Sequence, residues 1–173
     1  MKVKCMLLAA AAAMASVVGA ETIVCGEAGP YHLQGVACDG ESIYWSFTSR
    51  LVKTDLTGSN VLASVDVPMH SGDLCVHRGE VYVATDEGMF VRSSGLKQEV
   101  RVYDAATLVY SRKYNLNRDM DPKGLHSSCI EYSDGRFWMP AGFDEGVVSE
   151  KNYVLEYTPS FKLEAVHELP TGS

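Results

Sequence analysis

The chain has 173 residues, with 22 Asp and Glu against 15 Lys and Arg and a formal net charge of −7. An acidic surface repels phosphate backbones and anionic headgroups, which excludes nucleic acid and an anionic membrane surface as partners. No motif in the sequence names a reaction, so architecture has to be read first.

Residues 1–20 open with Lys2 and Lys4, run apolar from Cys5 to about Val18, and end on the small residues Gly19 and Ala20. A charged start, an apolar middle and a small-residue end predict a signal peptide cut after Ala20. The apolar run is shorter than the ~20 residues of a spanning helix. Residues 21–173 are then the exported domain, secreted or periplasmic, with no second stretch able to span a bilayer. Cleavage removes two lysines and no acid, so the exported part is more acidic still. It retains Cys25, Cys38, Cys75 and Cys129. An oxidising compartment permits disulfides. No C-x-x-C spacing occurs, three pairings remain open, and the strand positions of Cys38, Cys75 and Cys129 suit buried free thiols equally well.

A repeat follows. His32 begins HLQGVACDGESIYW, His70 begins HSGDLCVHRGEVYV and His126 begins HSSCIEYSDGRFWM. Each segment contains a glycine (Gly40, Gly79, Gly135), then an apolar residue eleven positions after the histidine (Ile43, Val81, Phe137), then an aromatic (Tyr44, Tyr82, Trp138). The glycines are 39 and 56 residues apart, which brackets the ~40–50 residues of a propeller blade. Each repeat resolves into four strand-like runs: 33–38, 42–47, 50–55 and 61–67; 72–77, 80–85, 99–104 and 108–114; 126–132, 136–141, 152–158 and 161–168. Val, Ile, Tyr, Phe and Thr fill these runs, and Asp39-Gly40, Thr57-Gly58, Arg78-Gly79 and Asp134-Gly135 punctuate them as turns. No long segment has a 3.6-residue apolar period. Two long connections, Asp86–Gln98 and Gly142–Lys151, separate second from third strands in the later repeats. The predicted fold is all-β: three four-stranded antiparallel blades of β-propeller type, about 32–67, 70–116 and 125–168, forming a partial (half) propeller.

The segment QGVACDGESIYWSFTSRLVKTDLTG and its two weaker copies resemble the six-bladed propellers of the NHL, YWTD and SMP-30-like kind. Gly35, Ala37, Asp39, Gly40, Ile43, Tyr44 and Trp45 match a blade opening of the form G-x-A-x-D-G-x-x-I-Y-W. Lys53, Asp55, Leu56 and Gly58 match the third-strand stretch. Closed propellers have about four to eight blades, whereas three are present here, so each end of the arc exposes a blade face. The three blades are either part of a longer propeller, which the connector-like ending Glu168–Ser173 favours, or half of a ring that self-association closes.

In this architecture the first strand of each blade lines the channel, and equivalent positions form a ring. His32, His70 and His126 all stand at the entrance to such a strand and are the candidate ligand-binding residues, with Asp73 as a nearby carboxylate. Three imidazoles also suit a divalent metal such as zinc, copper or iron, if they converge on one point. SMP-30-like relatives hold calcium with carboxylates and asparagines, so the resemblance transfers no catalytic residue. Cys75 and His77 share one side of a strand, where a thiol–base pair and a structural cysteine both fit. Tyr44, Trp45, Tyr82 and Trp138 read as packing between blades. The function expected is a ligand- or protein-binding module with an unknown small molecule or protein as partner. The alternative is a metal-dependent hydrolase or lyase with a histidine-lined site.

Overall fold

The computed structural model describes residues 22–27, 32–68, 70–87, 97–120, 125–143 and 151–170. The first blade is β1 (Leu33–Cys38), β2 (Ile43–Phe47), β3 (Arg50–Thr54) and β4 (Val61–Asp66). The second is β5 (His70–His77), β6 (Glu80–Glu87), β7 (Lys97–Asp104) and β8 (Tyr110–Asn115). A helical turn, α1 (Asn117–Met120), leads to the third blade: β9 (Leu125–His126), β10 (Glu131–Ser133), β11 (Arg136–Phe143), β12 (Lys151–Tyr157) and β13 (Leu163–Pro170). Each sheet is an antiparallel meander in chain order, with β9 and β10 both paired to β11 as two pieces of one innermost strand. The all-β, three-blade partial propeller expected from the repeat is therefore the observed architecture.

Local sequence explains the meander. Arg78-Gly79 (φ 50° and 76°) and Asp134-Gly135 (φ 52° and 79°) each put two consecutive residues in the left-handed region, the backbone of a tight I′ hairpin turn. In the first blade Asp39 replaces that turn chemistry by accepting the amides of Glu41 and Ser42 through Oδ1. Burial follows position within the blade. Every residue of β2 is buried, because the strand is covered on both faces. Outermost β4 alternates between half-buried and exposed, because one face meets water.

Neighbouring blades stack through apolar layers. Tyr44 and Leu51 of the first blade pack with Leu74, Val81, Val83 and Leu108 of the second. Tyr82, Val100 and Val102 of the second pack with Phe137, Leu155 and Phe161 of the third. Val81, Val83, Val100, Val102 and Leu155 are fully buried, each stabilising the stack by about 1.5–3 kcal/mol. The outer face of the first blade (Ile43, Trp45, Phe47 and Val52) is covered by Cys25 of the segment 22–27. That segment is tied down by a Gly26 amide to Gly58 carbonyl bond of 2.7 Å and a Glu27–Arg50 ion pair of 2.7 Å.

Three details differ from the sequence expectation. The innermost strand of the third blade is broken over 127–130. Pro140 on β11 has no amide to donate there, and Ser127 instead donates its hydroxyl to the Pro140 carbonyl at 2.6 Å. The second-to-third-strand connections are shorter than expected, because the ladder runs on through Asp86↔Gln98 and Glu87↔Lys97. The rest of both connections, including Asp144-Glu145, lies outside the described residues. Finally, α1 occupies the link from the second blade to the third; it is anchored by Leu116, whose carbonyl accepts the Asp119 and Met120 amides. All four cysteines of the described chain are free, with Cys75 buried and Cys38 and Cys129 exposed.

Candidate functional site

The innermost strands approach one another through glycine. A Cβ on Gly35 would stand 2.2 Å from Asp73 Oδ1, and one on Gly72 would stand 2.2 Å from the Ser128 carbonyl oxygen. The Asp73 amide donates to that same carbonyl at 2.6 Å. These contacts draw β1, β5 and the 127–130 segment side by side and carry the start of each strand to a common rim.

Along that rim the three repeat histidines form one network. The Gln34 amide nitrogen lies 2.7 Å from His32 Nε2 and 3.1 Å from His70 Nε2. His70 Nδ1 faces Asp86 Oδ2 at 3.4 Å, and His126 Nε2 lies 2.9 Å from the same oxygen. An amide NH₂ has only donors to offer, so the Gln34 contact assigns the proton of His70 to Nδ1, and the Asp86 carboxylate, which only accepts, assigns that of His126 to Nε2. The order along the rim is His32, Gln34, His70, Asp86, His126.

Asp86 is the centre of this arrangement. Its side chain is 1% exposed, and such a carboxylate requires partners. Oδ2 accepts from His126 and lies 3.4 Å from His70 Nδ1, while Oδ1 has no hydrogen-bond partner among the described residues. Directly across the ladder, Gln98 is equally buried. Its Oε1 accepts the Ser127 amide at 3.1 Å, and its Nε2 is also without a partner. A buried acceptor and a buried donor thus stand at paired positions on neighbouring strands. His126 also lines a cavity of about 450 Å3, together with Cys129, Pro140, Asn152, Tyr153 and Leu169 among others; Asp86 and Gln98 stand behind it and are not part of its lining.

The other expected residues are distributed differently. Asp73 is in contact with Gly35 and is not linked to the histidines; the carboxylate that joins them is Asp86, which the sequence had placed in a loop. Burial, and then the charge of Glu131, push the Asp73 carboxyl pKa up. The three imidazoles are interleaved with Gln34 and Asp86, and among the described residues no three His, Cys, Asp or Glu side chains are gathered as ligands of one metal ion. Cys75 belongs to the apolar core, where burial raises its thiol pKa. His77 stacks on Tyr132 at 3.5 Å instead of serving that thiol. Tyr44, Trp45 and Tyr82 are buried packing residues, whereas Trp138 is only partly covered and its ring lies 5.7 Å from that of His167. The network members that sequence reasoning missed are Gln34, Asp86 and Gln98.

No protein-family profile matches the chain, and no curated protein matches it. Solved structures do. The Kuenenia stuttgartiensis hydrazine synthase aligns with a TM-score of 0.56 at 13% identity, over 80% of this chain and 37% of that one. The β-propeller domain of Myceliophteria thermophila Cps50 (Swd1) aligns with a TM-score of 0.53 at 8% identity, over 81% and 43%. A europium-containing methanol dehydrogenase aligns with a TM-score of 0.51 at 12% identity, over 79% and 32%. The chain spans less than half the length of each. At these identities the likeness is one of fold: a propeller-type stack of blades.

Proposed function

We propose that the protein is an exported binding module that takes a small ligand at the inner rim of its blades. The observation that carries this reading is the cavity lined by His126, whose imidazole is held by the buried Asp86 carboxylate at 2.9 Å. A group offering both a donor and an acceptor, such as a hydroxyl or a carboxamide, matches the polar side of that wall, formed by His126, Asn152 and Tyr153. Asp86 orients His126 within the cavity wall, Asn152 and Tyr153 add polar contacts, and Pro140 and Leu169 suit an apolar remainder. The charged, apolar and small-residue order of residues 1–20, the pattern of a signal peptide, supports export.

Ligand-observed NMR with a defined panel of hydroxyl- and carboxamide-bearing fragments tests the binding reading. Saturable hits are expected that weaken at least tenfold, about 1.4 kcal/mol, in both Asp86→Asn and His126→Ala. A panel without hits, or hits indifferent to both changes, removes it. Export is tested separately by the intact mass of the protein made from the full chain, which should begin at Glu21.

A further inference from the structure

The two junctions between blades are built to one plan. At the first, Tyr44 on the second strand of blade one faces blade two, and its hydroxyl donates to the Ala105 carbonyl at 3.0 Å. The corner that follows Ala105 delivers Leu108, buried in the same layer with φ 57°. At the second, Tyr82 occupies the Tyr44 position, and the corresponding corner of blade three delivers Phe161, also at φ 57°. The Phe161 ring lies 6.1 Å from that of Tyr82 and 4.4 Å from that of Tyr114. Each blade thus receives on its second-strand aromatic an apolar plug from the next blade, held in a left-handed backbone.

The two ends of the arc carry the unmatched halves of this contact. On blade three the equivalent aromatic is Trp138, whose ring meets His167 of its own sheet. On blade one the corner has Gly58 (φ 76°) where the others have Leu108 and Phe161. The vacant side-chain space is taken by the segment 22–27: Ile23 Cγ2 lies 2.6 Å from where a Gly58 Cβ would stand. Ile23 and Val24 are 45% and 67% exposed there, and Leu33 and Val36 on innermost β1 are 47% and 53% exposed on the same outer face. An apolar knob at the plug position therefore faces outward at one end, and an aromatic without a plug faces outward at the other.

We infer that a second copy of this chain closes the ring, the Ile23–Val24 knob of each copy seating on Trp138 of the other. Three blades and three blades make six, within the ~4–8 of closed propellers, and two identical head-to-tail junctions related by a twofold axis end the assembly at the dimer. The same closure lays β1 of the second copy, with Leu33 and Val36, across the open side of the cavity at Cys129, Pro140 and Leu169. The histidine rim then continues from His126 of one copy to His32 of the other. This assembly does not depend on what the cavity binds and is measured without ligand.

Sedimentation velocity on the purified protein tests it, with Trp138→Glu and Val24→Glu as single variants and their thermal melts as the folding control. The wild type is expected to be a discrete dimer at about 10 µM. Both variants are expected to be folded monomers, and their equimolar mixture is expected to recover a weaker heterodimer through its one intact junction. A monomeric wild type or an open-ended polymer overturns the inference. So does a Val24→Glu variant that dimerises like the wild type, because a blade-three to blade-three contact would not use the knob.

Discussion

Glu80 is held ionised by Arg112, whose guanidinium donates to both carboxylate oxygens, and by the Tyr82 hydroxyl at 2.6 Å. The Arg112 hydrogen bond, more than any other influence, draws the Glu80 pKa down to about 2 from an ordinary 4.5. A carboxylate depressed in the fold stabilises it above the unfolded pKa, and that contribution is lost as pH falls through the folded one. Glu80→Gln should therefore lower stability at neutral pH by about 1 kcal/mol, the scale of a partly exposed bidentate pair. The deficit should shrink as pH falls from 4.5 toward 2, and acid titration of the two melting curves checks this; a deficit constant across that window would mean the carboxylate charge contributes nothing. Gly35 makes a steric prediction. Gly35→Ala forces a methyl group against the Asp73 backbone at 2.7 Å, so a loss of about 1–3 kcal/mol is expected, visible as a lower urea midpoint with an unchanged slope. At this scale the histidines were legible because the repeat marked them. Gln34, Asp86 and Gln98 were not, because their roles arise only where one blade meets the next. Asp86 also precedes Glu87 and Gly88, a run that reads as a loop in sequence, although the ladder continues as far as Glu87.

The elements were legible because each strand is a local pattern and each hairpin carries its own turn residues. What escaped was non-local. Nothing within 126–132 breaks a strand; the interruption comes from Pro140, which stands on the neighbouring strand and supplies no amide. The plug corners are a second case. Leu108 and Phe161 sit in turns that look exposed, yet they are 1% and 8% exposed, because the preceding blade closes over them. Their backbone makes a distinctive prediction. Phe161→Ala removes a ring packed on Tyr82, Tyr114 and Phe137 and should cost about 3–5 kcal/mol. Phe161→Gly removes slightly more side chain but relieves the left-handed strain at φ 57°, a conformation that costs a non-glycine residue about 1 kcal/mol or more. Chemical denaturation should rank glycine at or above alanine here, the reverse of their order in an ordinary strand; a clearly less stable glycine variant would show that the turn carries no strain.

Across the described residues, the main contacts between blades run between adjacent ones, so stability is close to a sum of blades and junctions. The segment 22–27 then acts as a partial junction in its own right, covering Trp45 and Val52 where a preceding blade would stack. Deleting residues 22–27 removes the Glu27–Arg50 pair, the Gly26–Gly58 hydrogen bond and the cover of Cys25, together worth about 1–3 kcal/mol. The loss should be local. In hydrogen exchange, amides of β2 and β3 should lose protection, while those of β6 and β7 in the middle blade, which meets neither end of the arc, should keep theirs. The two tryptophans report the same thing optically. In a Trp138→Phe background the remaining fluorescence comes from Trp45, which is 7% exposed, and the deletion should shift its emission to the red. An even loss of protection through all three sheets would instead make the stack a single cooperative unit, in which no blade end could be opened without unfolding the rest.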